Sequence, residues 1–144
     1  MRIRPIANSA AFTLLALTAV LAAGCTPPPG QPAGPRLYAI DQTGGAKSCV
    51  APPVQPVDGR ETAMEMKVGN DGGWCGVTLT RSSGAFSAGL LTARPAHGRV
   101  YVHTVGSATR IDYTPAAAFA GADTFTVKMV PGDASVRVAV TVTP

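Results

Sequence analysis

From Met64 onward the chain repeats one pattern, in which apolar and polar residues alternate with a period of two over short runs. The runs are MEMKV from Met64, WCGVTLT from Trp74, RVYVHTV from Arg99, TRIDYT from Thr109, DTFTVKMV from Asp123 and SVRVAVTV from Ser135. Successive side chains of a strand point to opposite faces, so each run predicts a β-strand with one core face and one wet face. In the last run Val136, Val138, Val140 and Val142 oppose Arg137, Ala139, Thr141 and Thr143. In the run before it Phe125, Val127 and Met129 oppose Thr124, Thr126 and Lys128, and PGDA between the two reads as a hairpin turn. Helical periodicity is absent.

Residues 37–144 are enough for one core and too few for two. Strands spaced at about ten residues predict an all-β, antiparallel, immunoglobulin-like sandwich of about seven strands, because a single open sheet would leave its apolar face uncovered. The region from Ala46 to Arg60 is interrupted by Pro52, Pro53 and Pro56. Proline cannot donate within a central ladder, so this region reads as an edge or loop.

The first residues carry a different pattern. Arg2 and Arg4 precede an apolar run from about Ala10 to Ala23, too short for the roughly 20 residues of a spanning helix, and small residues follow. Residues 1–24 therefore read as an export signal. Its ending, Leu21-Ala22-Ala23-Gly24-Cys25, resembles the lipobox of bacterial lipoproteins, although Ala22 stands where a larger aliphatic or hydroxyl residue is more usual. That resemblance implies cleavage before Cys25 and acylation of its thiol, with palmitate-type chains anchoring the protein to a membrane it does not span. Residues 25–36, rich in proline and glycine, read as a tether. Thr26 replaces the aspartate that retains some lipoproteins at the inner membrane, which points to the outer membrane of a bacterial cell envelope.

With Cys25 assigned to lipid, Cys49 and Cys75 remain as a pair, and an exported chain favours a disulfide between them. On a chain-entropy estimate it contributes roughly 3 kcal/mol. The formal charge of +4 falls to +2 without Arg2 and Arg4, and no basic patch argues for nucleic acid.

The stretches LTARPAHGRVYV and IDYTPAAAFAGADTFTV, followed by a hairpin and a valine-alternating strand, resemble the cadherin-like, immunoglobulin-like repeats of bacterial surface proteins. The resemblance covers about the last 55 residues and rests on Pro95, His97, Gly98, Val100, Tyr113, Thr114, Pro115, Phe119, Gly121, Asp123 and Phe125. These residues have physical roles of their own. Gly98 opens a strand and can adopt a positive φ. Pro115 stops the strand that Tyr113 ends, Phe119 plugs the crossing loop, and Asp123 accepts loop amides so that Phe125 faces inward. Phe125 and Val127 stand where an immunoglobulin domain carries its corner tyrosine and cysteine, so that hydroxyl and the sheet-to-sheet disulfide are expected to be missing. The family usually occurs in tandem arrays, whereas one copy is found here.

Candidate chemistry is sparse. His97 and His103 lie six positions apart, about 20 Å along a strand, too far to share one ion, and they read as a turn residue and a surface residue. Asp71, Asp112, Asp123 and Asp133 are single acids in or near loops and do not form a calcium loop motif. Ser82 and Ser83 form no GxSxG elbow. Trp74, in NDGGWCG, reads as core packing beside a disulfide cysteine; exposed, it would be the candidate binding residue for a glycan or peptide. The expectation is a non-enzymatic envelope lipoprotein without metal or cofactor, structural or binding an envelope protein or glycan. The alternative is a secreted or periplasmic accessory, inhibitor or glycan-binding module.

Overall fold

The described residues form eight strands in two facing sheets, six of them from the alternating runs. The structure, a computed structural model, describes residues 38–144. The export signal, Cys25 and the tether lie outside the described residues. The strands are β1 (Cys49–Val50), β2 (Glu61–Gly69), β3 (Cys75–Leu79), β4 (Ala88–Ala93), β5 (Gly98–Val105), β6 (Ala108–Pro115), β7 (Gly121–Val130) and β8 (Ser135–Thr143). A 3-10 turn spans Ala39–Gln42. Among the described residues no helix is long and apolar enough to cross a membrane.

One sheet has the order β1-β2-β8-β7-β4 and the other β3-β6-β5. The six runs of alternation become β2, β3, β5, β6, β7 and β8. The predicted faces of the last hairpin hold: Val136, Val138, Val140, Phe125, Val127 and Met129 are buried, while Arg137, Ala139 and Thr141 are exposed. Two strands come from stretches without clear alternation. β1 pairs two residues with Val68 and Lys67 at the edge of the larger sheet, within the proline-interrupted region. β4, AGLLTA, adds itself to β7 through a register shift between Leu91 and Ala93.

The antiparallel expectation needs one correction, because β2 runs parallel to β8 over nine registered pairs, from Glu61 with Ser135 to Gly69 with Thr143. The chain returns from β2 across the sandwich into β3 rather than turning back into a neighbour. β2 is thus free to line the open side of β8, and Met64, Met66 and Val68 face the same core as Val138, Val140 and Val142.

The sheet-to-sheet disulfide expected to be missing is present in another place. Cys49 of β1 and Cys75 of β3 are bonded, with Cα atoms 5.3 Å apart, and they belong to different sheets. The core between the sheets is built from Met66, Val77, Leu79, Ile111, Tyr113, Phe125, Met129 and the inward valines, all buried.

Candidate functional site

The predicted motif residues gather at the end of the sandwich where β6 stops and β7 starts. Asp123 is their hub: Ala96 N and His97 N donate to its two oxygens, each at 2.9 Å, Thr124 N donates at 2.8 Å, and the Tyr113 hydroxyl donates at 2.9 Å. Burial works to raise the Asp123 pKa, but the Ala96, His97 and Thr124 amides and the Tyr113 hydroxyl outweigh it and hold the carboxyl below its usual range. Burial first, and Asp123 second, push the Tyr113 phenol well above its ordinary value. A buried tyrosine hydroxyl therefore does brace this corner, supplied by Tyr113 rather than by the position that Phe125 fills.

Phe125 stacks on Tyr113 with ring centroids 5.8 Å apart. Phe119 stacks on His97 at 4.2 Å, which keeps His97 in its turn as expected. Pro95 lies in the β4–β5 connection, Pro115 closes β6, and Gly121 opens β7 with φ 139°. Gly98 opens β5, but not through a positive φ. A Cβ there would overlap the Tyr113 ring, so close approach is what selects glycine. Asn70 adds a brace with no counterpart in the motif reading, since its Nδ2 donates to Ala116 O and Phe119 O, each at 2.8 Å. This hub is fully occupied by its own contacts and reads as folding machinery.

A second cluster lies on the outer face of β3-β6-β5, where strand parity alone would put solvent-facing residues. Arg110 Nε donates to Asp112 Oδ1 at 2.7 Å and Arg110 Nη2 to Asp112 Oδ2 at 2.9 Å, a bidentate pair between alternate residues of β6. Both side chains are nearly buried. Two things cover them. The Trp74 ring lies 3.9 Å from the Arg110 guanidinium, and the incoming segment before β1 accepts a hydrogen bond from Arg110 Nη1 at Asp41 O. Trp74 in turn donates from Nε1 to Thr43 O at 2.9 Å. Gly76 makes the space, because a Cβ there would meet the Asp112 carboxylate and stand 3.1 Å from the Trp74 ring.

Three sequence expectations change here. Trp74 is neither core nor an open platform; it is the cover of an ion pair. Asp112 sits in mid-strand rather than in a loop. His103 is half-buried, and its Nε2 lies 2.9 Å from Asp112 Oδ2 across the β5–β6 ladder. A carboxylate beside a guanidinium accepts hydrogen bonds only, so His103 Nε2 is the donor in this contact.

Neither a scan against protein-family models nor a search of the curated proteins finds a match to this chain.

What the second cluster presents outward is Tyr101. Tyr101 is 64% exposed, and its ring rests against His103 with centroids 4.8 Å apart and planes tilted by 33°. Tyr101 pairs in register with Asp112, and Arg99 precedes it on the same face. Sequence reasoning missed Tyr101 and Arg110. Their alternation with Val100, Val102 and Ile111 was visible, but nothing in a strand's own pattern reports that its polar face is roofed by another segment.

The loop acids read as single residues without a calcium motif are dispersed and engaged. Asp71 accepts from Lys47 N and Gly73 N at 3.0 Å each, which lowers its pKa, and Asp133 pairs with Lys128 at 3.2 Å. Among the described residues no three His, Cys, Asp or Glu side chains group as a metal site.

Proposed function

We propose that this chain is a non-enzymatic lipoprotein of the bacterial cell envelope, anchored through acylated Cys25 and carrying its immunoglobulin-like sandwich on a short proline-rich tether to bind a partner or reinforce the envelope. The observation that carries the anchor is the sequence LAAGC ending an apolar export run and opening a Pro/Gly-rich spacer. Thr26 supports an outer-membrane destination. An exported chain also agrees with the Cys49 to Cys75 disulfide, which oxidising compartments sustain.

The non-enzymatic half is supported by how the histidines are used. His97 is stacked on Phe119 and His103 is bonded to Asp112, so both serve to hold structure. The second reading, a glycan-binding module, is favoured by one observation, the exposed Tyr101 residue whose ring rests on His103 of a polar face.

Metabolic labelling with a palmitate analogue tests the anchor. The native chain takes up label and fractionates with membranes, and Cys25→Ser loses the label and leaves the membrane fraction. An unlabelled native protein, or unchanged fractionation of the variant, overturns the lipoprotein reading.

A further inference from the structure

We propose that the outer face of the β3-β6-β5 sheet is a saccharide-binding platform, with the Tyr101 ring stacking on the apolar face of a pyranose and the flanking polar groups of Arg99 and His103 meeting its hydroxyl rim. This deepens the binding half of the reading above and rests on it.

Several observations converge on that face. Among the described residues Tyr101 is the one large apolar side chain on β3, β5 or β6 that is substantially exposed. Its accessible neighbours on the strand face are Arg99, His103 and Thr114, with Asp112 held in the ion pair beneath. A protein partner would want a contiguous apolar centre. A single exposed ring at the sheet edge, flanked by Arg99 and His103 along its strand and by Thr114 across the ladder, suits a ligand that is C–H on its faces and hydroxyl at its edge. Arg99, Tyr101 and His103 are spaced about 6.6 Å apart along the strand, so polar groups stand on both sides of the ring within reach of one or two sugar residues.

The ring is also held in advance. Tyr101 rests on His103, His103 is fixed by Asp112, Asp112 is clamped bidentately by Arg110, and Arg110 is pinned beneath Trp74 and the carbonyl of Asp41. A nearly buried ion pair is a poor way to add stability, since apolar replacements of such pairs are often as stable or more so. Rigid presentation of the residue at the end of the relay gives it a use, because an aromatic side chain ordered beforehand loses less entropy on binding.

The test is a titration of the purified full-length chain in detergent with β-1,4-linked N-acetylglucosamine tetrasaccharide and β-1,4-linked glucose tetrasaccharide, followed by NMR or calorimetry. At least one sugar is expected to bind, with shifts centred on Tyr101 and His103. Tyr101→Ala should weaken binding by about tenfold or more, the scale of removing one aromatic anchor, while Tyr101→Phe keeps the ring and stays close to native. His103→Ala, which removes the support, should fall between them. The unfolding midpoints of the Tyr101 variants should match the native one, so that lost binding is not lost folding. No binding of either sugar up to about 10 mM, or native affinity in Tyr101→Ala, overturns the platform. The titration does not depend on acylation, so its failure leaves the anchor standing, and failure of the palmitate labelling leaves the platform standing.

Discussion

The Tyr113 hydroxyl donates to Asp123 Oδ2 over 2.9 Å, tying the end of β6 to the start of β7 behind the loop that carries His97. The two groups titrate at opposite ends of the pH scale, and the pair sets a stability window. Tyr113 has its folded pKa raised, so its contribution is complete below the unfolded value of about 10 and is lost as pH rises beyond it. Asp123 has its folded pKa lowered, so its contribution is present above the unfolded value of about 3.9 and is lost as pH falls through the folded one. Denaturant unfolding across pH should show a plateau between these limits. Tyr113→Phe should flatten the alkaline fall and Asp123→Asn the acid fall, each also lowering the plateau by roughly 1–3 kcal/mol for the partners left unpaired. Slopes identical to the native protein's would place the pH sensitivity elsewhere.

Gly98→Ala forces a methyl group into the Tyr113 ring. We expect a loss of about 1–3 kcal/mol from overpacking, and a disturbed environment for the Tyr113 hydroxyl in NMR spectra. Ala at Gly59, where an added Cβ meets nothing but φ is +68°, is the comparison that separates steric overlap from backbone strain. If Gly98→Ala is as stable as the native chain, close packing does not select glycine there.

Phe125→Ala removes a fully buried ring that stacks on Tyr113 between the sheets. The expected cost is about 3–5 kcal/mol in reversible unfolding. A change below about 1 kcal/mol would mean that the core closes over the gap.

Arg110→Met keeps length and apolar contact but removes the donor to Asp41 O and the bidentate partner of Asp112. Trp74, the single tryptophan, reports on this directly. Acrylamide quenching of its fluorescence should increase, and amide exchange over Tyr38–Thr43 should quicken, while the core strands exchange as before. Quenching equal to native would show that Trp74 and the segment above it hold together without the guanidinium.

Much of this was visible in the residues. Period-two alternation located six strands and oriented the last hairpin correctly, because burying a valine or phenylalanine face is the dominant energetic fact of a half-buried strand. Asp123 was recognisable as an acceptor of loop amides, since a short acid at a strand start has that use. What alternation cannot reveal is long-range pairing. The parallel alignment of Glu61–Gly69 with Ser135–Thr143, the sheet-bridging geometry of Cys49 with Cys75, and the edge strand AGLLTA depend on neighbours distant in sequence. The outer cluster failed for a related reason. Arg110 and Asp112 occupy positions that any strand pattern marks as wet, and only the return of Trp74 and the 38–45 segment makes them dry.

The place of β8 has a temporal meaning. It lies between β2 and β7 and follows both in the chain, so the larger sheet is two separate pieces until β8 is available to join them. A chain emerging amino-terminus first, from a ribosome or across a membrane, holds Met64, Met66 and Val68 without their β8 partners until that strand has followed. Closure then waits on β8, which inserts between them and supplies both ladders.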